Sequence, residues 1–207
     1  MISLCITHRI GEDISWVEDI YGDLLIYNKG DKWDLPYPCF ESPKILNEVD
    51  TFLRGIVETY DIISNYRFIY LLRPNCKDYY QDVISYVSVN QYNQLDENQI
   101  FPLSDKIFYF NLDEAKKNLN EDQNRVLNSV VEVMGTFGIN LNDCTYSCAY
   151  GSQYFFHRQF ILNKPKDWWI NLHILANNMY ESLGDDVTNI FAFLWPSILH
   201  HSLISNN

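Results

Sequence analysis

A short aromatic stretch of this chain carries polar side chains whose types could do chemistry. Gln153, His157 and Arg158 lie within residues 150–159, just after Gly151. An unpaired polar group in a folded interior costs about 1–3 kcal/mol, so these side chains must bind either one another or a ligand. If the stretch forms a strand, Gln153 and His157 share one face and Arg158 lies on the other. The stretch is therefore either a satisfied core network or part of a binding site.

Three further cations follow short apolar runs that are typical of buried strands. The runs are residues 2–7, 24–27 and 67–72, and the cations that follow them are Arg9, Lys29 and Arg73. Arginine binds phosphate oxygens through paired hydrogen bonds, and lysine supplies a point charge. These residues suit an anionic ligand, although each could equally be a solvated surface charge or the partner of a nearby acid.

The elements between these cations indicate how they are positioned. Apolar residues at helical spacing predict a helix over residues 46–60, and a short helical turn is predicted near residues 14–20. Strands that alternate with helices predict an α/β fold with a mostly parallel sheet and helices on both faces. Ligands of such sheets bind beyond the carboxyl ends of the strands. The loops that carry the three cations should therefore line one crevice.

The length of the whole chain predicts a single domain over residues 1–207. The alternation of strands and helices continues less clearly after residue 72. Two more strands are predicted at residues 107–110 and 154–156. Further helices are predicted at residues 126–137, 167–180 and 187–194, with Pro196 disturbing the end of the last. Residues 31–45 and 90–106 are interpreted as loops, and residues 79–89 fit no single element.

Composition excludes several classes of function. The formal net charge of -12 disfavours binding to nucleic acid or to anionic membranes, whose phosphates require a basic surface. No apolar stretch approaches the ~18 residues of a membrane span. Five scattered cysteines indicate free thiols in a reducing compartment, so we expect a cytoplasmic protein. The chain also lacks the common phosphate-loop, dinucleotide, esterase and zinc-protease motifs.

Several segments, in order along the chain, resemble a known family. They are residues 9–16 (RIGEDISW, against R-Y-N-E-D-L-S-W), 26–31 (IYNKGD), 48–53 with 58–61 (EVDTFL and ETYD, against E-x-x-T-Y-L and E-N-Y-D), 151–165 (against G-x-Q-F-x-V-S-R-E-R-I-x-x-x-P) and 194–196 (LWP). Together they resemble a family of largely uncharacterised proteins, known only as a domain of unknown function. That family is grouped loosely with nucleotide-sugar glycosyltransferases of the GT-A fold. The resemblance implies a GT-A-like (Rossmann-like) fold and glycosyl transfer from a nucleotide sugar to an unknown acceptor.

Glycosyl transfer would give individual residues roles that their chemistry permits. Glu48 and His157 are the candidate catalytic residues, with Glu48 contacting the sugar and His157 acting as a base or binding phosphate. Asp31 would contact the nucleoside. The candidate substrate-binding residues are Arg9, Asn28, Lys29, Asp31, Arg73, Gln153 and Arg158. Each residue also has a purely structural interpretation. Asp31 could form a turn, Glu48 could interact with the dipole at the helix N-terminus, and His157 could be half-buried with its hydrogen bonds made to protein groups.

One departure from glycosyltransferases bears on the cofactor. Many GT-A enzymes carry Asp-x-Asp after the third strand, and residues 72–75 (LRPN) lack it. We therefore expect no tightly held metal and assign no metal ligands; a divalent cation would be bound only loosely, with the nucleotide. The same departure, together with Ala192 where the family often has an acid, favours an alternative: a catalytically inactive module that recognises a glycan or a protein partner. A different small-molecule enzyme on a similar sheet is a third interpretation.

Overall fold

The computed structural model describes residues 3–20, 22–31, 38–83, 98–141 and 145–200. The strands in these ranges are β1 (Leu4–Arg9), β2 (Asp23–Asn28), β3 (Cys39–Glu41), β4 (Phe68–Leu71), β5 (Ile100–Pro102), β6 (Ile107–Asn111), β7 (Thr145–Ala149) and β8 (Tyr154–His157). The helices are α1 (Asn47–Thr59), α2 (Cys76–Tyr79), α3 (Leu112–Asn118), α4 (Glu121–Thr136), α5 (Gln159–Leu162), α6 (Lys166–Leu183) and α7 (Asp186–His200). Two 3-10 helices cover Ser15–Asp19 and Tyr60–Asn65.

Six strands form one mixed sheet in the order β3-β2-β1-β4-β8-β5. Neighbouring strands from β3 to β4 are parallel, and β8 is antiparallel to both β4 and β5. The chain leaves β1 toward β2 on one side and returns to β4 on the other, so the strand order reverses at β1. The predicted α/β class with a mostly parallel sheet is confirmed. A crevice beyond the carboxyl ends of β1 and β4 is where such a reversal favours ligand binding.

The two faces of the sheet are buried by different elements, as strand alternation requires. Leu4 and Ile6 of β1 face the larger core, which α1, α4, α6 and α7 cover. Cys5, between them, faces a smaller core built with the 3-10 helix Ser15–Asp19 and α2. On that second face the rings of Tyr70 and Phe155 stack, with centroids 4.3 Å apart.

The remaining strands, β6 and β7, form a separate antiparallel pair beside α3, α4 and α7. Phe108 and Phe110 of β6 both contact Phe193 of α7, with ring centroids 5.3 and 6.3 Å apart. This packing attaches the second sheet to the last helix of the fold. No helix within the described ranges is long and apolar enough to cross a membrane.

Several boundaries differ from the sequence predictions. β3 and β5 lie in segments predicted as loops, and β7 was not predicted; two of these strands are three residues long and depend on pairing with a neighbour. α7 continues past Pro196 to His200, because fully buried residues on both sides, Trp195 and Ile198, hold it by packing. The parts of the predicted loops at residues 32–37 and 90–97, and most of the ambiguous segment 79–89, lie outside the described residues.

Candidate functional site at the carboxyl edge of the sheet

The carboxyl edge of the sheet, where β1, β2 and β4 end and β8 begins, gathers most of the predicted site residues. Parallel strands end at the same edge, and β8 brings its amino end there because it runs antiparallel. The predicted residues found at this edge are Arg9, Asn28, Lys29, Asp31, Glu48, Arg73 and Gln153. The strand ends that carry the three predicted cations therefore lie at one edge of the sheet; that their loops line one ligand crevice stays a prediction.

The turn after β2 is held tightly against the end of β1. Arg9 and Asn28 are register partners, and the Lys29 amide donates to the Arg9 carbonyl at 2.7 Å. A side chain at Gly30 would overlap the Ile10 carbonyl, so this close approach requires glycine. Asp31 follows with an exposed side chain. The sequence Asn-Lys-Gly-Asp thus fixes two strand ends together.

Both the nitrogen and the oxygen of the Asn28 side-chain amide form hydrogen bonds at this turn. Its Nδ2 donates to the Asp31 carbonyl at 3.1 Å and to the Glu41 carboxylate at 3.2 Å, and its Oδ1 accepts from the Gly30 amide at 3.3 Å. Since the side chain is buried and its hydrogen-bonding atoms are occupied, Asn28 shapes the edge and ties it to β3. These contacts leave it little capacity for a ligand.

Lys29 is also committed to protein partners. Its Nζ lies 2.6 Å from Asp50 Oδ2 and 3.0 Å from the Ile45 carbonyl, and neither side chain of the ion pair is exposed. Burial lowers the pKa of Lys29, and the Asp50 charge opposes that shift. Lys29 therefore neutralises Asp50 and is not a free phosphate ligand.

Asp50 is the centre of this cluster, and it was not among the predicted site residues. Besides Lys29, its carboxylate accepts from Ser42 Oγ at 3.2 Å and Arg54 Nη2 at 3.1 Å, and it lies 2.7 Å from His173 Nε2. Burial by itself raises the pKa of Asp50, but the hydrogen bond to His173 and the charge and hydrogen bond of Lys29 lower it well below its ordinary value. The carboxylate is thus held ionised inside the fold.

A sequence signal for Asp50 does exist. It lies three positions before Leu53 on the predicted helix and four after Leu46, which directly precedes α1, and both of these leucines are buried. An acid at a position whose spacing predicts burial needs a partner. The spacing therefore indicates a buried, paired carboxylate, although it does not identify Lys29 as that partner.

A second cluster joins α1, β4 and the start of β8. Arg73 Nη2 lies 3.8 Å from the buried Glu48 carboxylate, and its Nη1 donates to the Tyr79 hydroxyl at 3.2 Å. The Arg73 amide donates to Gln153 Oε1 at 3.2 Å, and Gln153 Nε2 donates to the Leu103 carbonyl at 3.0 Å. Arg73 Nε is buried without a partner in the described structure. Gln153 therefore anchors the strand ends, and Arg73 retains a free donor.

His8, at the carboxyl end of β1, is a site candidate that sequence reasoning missed. It is 2% exposed, and its Nδ1 has no hydrogen-bond partner among the described residues. Burial, reinforced by the Lys29 charge, lowers its pKa to about 3, so the imidazole is neutral at pH 7. A polar residue at the end of a buried strand is the available signal, since such an end faces the crevice.

Backbone strain is concentrated beside these clusters. The described non-glycine residues with positive φ are Leu46 at 49°, Asn47 at 39° and Ser152 at 58°. The first two directly precede Glu48, and Ser152 directly precedes Gln153. Left-handed backbone in a residue such as Leu46 costs about 1–3 kcal/mol, whereas asparagine adopts it more readily; such strain clusters at functional sites. Strain thus flanks both ends of the Glu48–Arg73–Gln153 cluster.

The structure does not bring His157 and Arg158 to this edge. His157 pairs with Phe68 at the opposite end of β8, about 13 Å along the strand from Gln153. Arg158 Nη1 donates to the Tyr66 carbonyl at 2.7 Å. Gln153 and His157 do share a face of the strand, as predicted, but the four-residue strand separates them. His157 is half of an edge-to-face contact with Phe68, 5.9 Å between centroids, and its predicted catalytic role has no support in this position.

No group of three or more His, Cys, Asp or Glu side chains is placed to hold a metal ion in the described parts of the chain. Comparison with known proteins identifies no family for this chain. No protein-family model, no curated protein and no solved structure matches this chain. The function of the edge must therefore be inferred from its own residues.

Proposed function

We propose that the carboxyl edge binds a nucleotide sugar and that the protein transfers the sugar to an acceptor without a tightly held metal. The observation that carries this proposal is the cluster of Glu48, Arg73 and Gln153, flanked on both sides by strained backbone. Ligand sites of α/β sheets lie at this edge, next to the strand-order reversal. The GT-A-like assignment belongs to the same proposal.

Arg73 is the proposed ligand of the diphosphate. Its guanidinium has a buried Nε with no hydrogen-bond partner among the described residues, and 28% of its side chain is exposed. A nucleotide diphosphate needs stabilisation of the charge that develops as the sugar leaves, and arginine provides it in place of a metal. Arg9, at the end of the adjacent strand, is the second proposed phosphate ligand.

Glu48 is the proposed catalytic carboxylate, because it is buried beside Arg73 at the N-terminus of α1. His8 contributes a neutral imidazole in the same electrostatic neighbourhood as Arg73 and Lys29. Lys29 and Asp50 act indirectly in this proposal, by fixing the turn after β2 and the first turns of α1.

A binding module without catalysis is the second candidate function. The specific observations in its favour are the commitment of Lys29 to Asp50 and the position of His157 at the far end of β8. Lys29 was a predicted substrate ligand, and His157 was a predicted catalytic residue. With His157 at the far end of β8, Glu48 is the single remaining residue that the sequence predicted to be catalytic.

Binding of nucleoside diphosphates and nucleotide sugars, measured by calorimetry with and without manganese, tests the proposal. We expect Arg73→Met to weaken nucleotide binding by about tenfold or more, because a charge-assisted hydrogen bond is lost. Arg125→Met, at an exposed arginine of α4, is the matched control and should leave nucleotide binding unchanged. Wild-type protein that binds none of these ligands would refute the nucleotide proposal.

A turnover measurement distinguishes an enzyme from a binding module that lacks catalysis. Hydrolysis of a bound nucleotide sugar, followed over hours, should be lost in Glu48→Gln while binding is retained. Binding with no hydrolysis or transfer in the wild type, across a panel of acceptors, would instead support the module.

A further inference from the structure

A cavity of about 430 Å³ lies away from the carboxyl edge, between β6, α3, α4 and α7. Its apolar wall includes Phe108, Phe110, Leu127, Ile190 and Phe193. The volume is within the range of about 300–1,000 Å³ that is usual for small-molecule sites. The cavity shares no lining residue with the edge, so any ligand it holds is a separate one.

The polar residues that line this cavity are exposed or partly exposed and form its mouth, and the charged ones among them are acidic. Glu114 in the first turn of α3 and Asp186 in the first turn of α7 both line it, and none of the described lysines and arginines does. Neither carboxylate has an ion-pair or side-chain hydrogen-bond partner in the described parts of the chain. Lys116 and Lys117 follow Glu114 on α3 but do not line the cavity.

The amides at the mouth add mainly acceptors. Asn111 has its oxygen occupied as the N-cap of α3 and its Nδ2 directed to Thr145. Asn118 uses its Nδ2 on the Glu114 carbonyl, so its oxygen remains as an acceptor. Gln123 is the reverse case: its oxygen accepts from the Asn120 amide, and its NH2 group remains as a donor. Asn189, which also lines the cavity, has no side-chain hydrogen bond to another described residue, so it supplies one oxygen and one NH2 group. Among the described residues, the two carboxylates and the Asn118 and Asn189 oxygens therefore outnumber the free NH2 groups of Gln123 and Asn189.

We propose that this cavity binds a small organic ammonium ion with an aromatic or aliphatic body. The apolar wall would bury the body, and the Phe108, Phe110 and Phe193 rings would provide aromatic contact. The ammonium group would lie at the mouth between Glu114 and Asp186. The protein's net charge of -12 also favours a cationic ligand over an anionic one.

Three probes of similar size test the charge preference: 2-phenylethylammonium, 2-phenylethanol and 3-phenylpropionate. Binding to the full chain is measured by ligand-observed NMR or calorimetry at low ionic strength. We expect the ammonium to bind at least about fivefold more tightly than the alcohol, because each carboxylate at a partly exposed rim contributes modestly. The carboxylate probe should bind weakest.

Variants test whether the residues that line the cavity cause the preference for the ammonium probe. Glu114→Gln and Asp186→Asn should each reduce the preference for the ammonium over the alcohol, and Ala115→Phe, which fills the cavity, should abolish binding of all three probes. Asp167→Asn removes the same charge from the first turn of α6, outside the cavity, and is the matched control. Equal binding of ammonium and alcohol, binding that Ala115→Phe leaves unchanged, or no binding of any probe would each overturn the proposal.

Discussion

Two lysines of this fold are buried to the same extent but in opposite environments. Lys29, at the carboxyl edge, has Asp50 at 2.6 Å. Lys164, after α5, is 0% exposed and forms no ion pair in the described structure; its Nζ donates to the Phe160 and Leu199 carbonyls, each at 3.0 Å. The rings of Trp168 and Trp169 lie beside that nitrogen, with centroids 5.6 and 5.4 Å away.

The difference shows what a buried amine needs in order to stay charged. Burial lowers the pKa of Lys164 to about 7, whereas at Lys29 the Asp50 charge opposes the same effect. A neutral amine has two N–H donors, and the Lys164 site offers two carbonyl acceptors, so both N–H groups of the neutral form are satisfied. Lys29 is thus part of a charged network, and Lys164 is a neutral cross-link between α5 and α7 at slightly alkaline pH.

The largest expected effect comes from breaking the charged network. Asp50→Asn should lower the free energy of unfolding by about 3–5 kcal/mol, because the Lys29 ammonium is then buried without its counter-ion. Urea denaturation followed by circular dichroism measures this change. The double variant Lys29→Met with Asp50→Leu should recover part of the loss. A loss below about 1 kcal/mol in the single variant would mean that Lys29 and Asp50 are not a dependent pair.

The second effect concerns pH and should separate the two lysines. The folded pKa of Lys164 is lower than its unfolded pKa, so between them the unfolded chain binds the additional proton. Stability therefore rises as pH increases from about 7 toward the unfolded value, by roughly 2 kcal/mol between pH 7 and pH 9. Lys164→Met should remove this rise, since methionine has no proton to lose.

The difference between wild type and Lys164→Met, measured by urea denaturation at several pH values, isolates this contribution from other groups that titrate. Met at this position also leaves the two carbonyls without a donor, which changes the level of the curve and not its slope. Parallel curves for the two proteins would contradict the proposed neutral state of Lys164.

Much of the site could be predicted because its local part depends on short-range patterns. The apolar runs that became β1, β2 and β4, and the helical spacing that became α1, placed Arg9, Lys29 and Arg73 at one edge without any long-range information. The Asn-Lys-Gly-Asp turn is likewise local, since the Asn28 side chain bonds to the backbone of Gly30 and Asp31.

The remainder depends on pairing between distant segments, which one sequence does not encode in any spacing. Lys29 and Asp50 are 21 positions apart, and His173 is 123 positions from Asp50. The antiparallel direction of β8 decides that Gln153, and not His157, reaches the edge, and nothing within residues 150–159 sets that direction. For the same reason β3 and β5 were predicted as loops.

The smallest expected effect tests whether Lys29, and not Arg54, is the main counter-ion of Asp50. Arg54 contacts the same carboxylate at 3.1 Å, but its side chain is 26% exposed, so solvent competes for the guanidinium. Arg54→Met should therefore lower the free energy of unfolding by only about 0.3–1 kcal/mol, as is usual for a helix pair four residues apart. Arg125→Met, which breaks the exposed pair with Asp122 on α4, should cost less still. If Arg54→Met instead destabilised the protein as much as Asp50→Asn, the main counter-ion of Asp50 would be the partly exposed Arg54 and not Lys29. The contrast between Lys29 and Lys164 would then rest on burial and not on charge pairing.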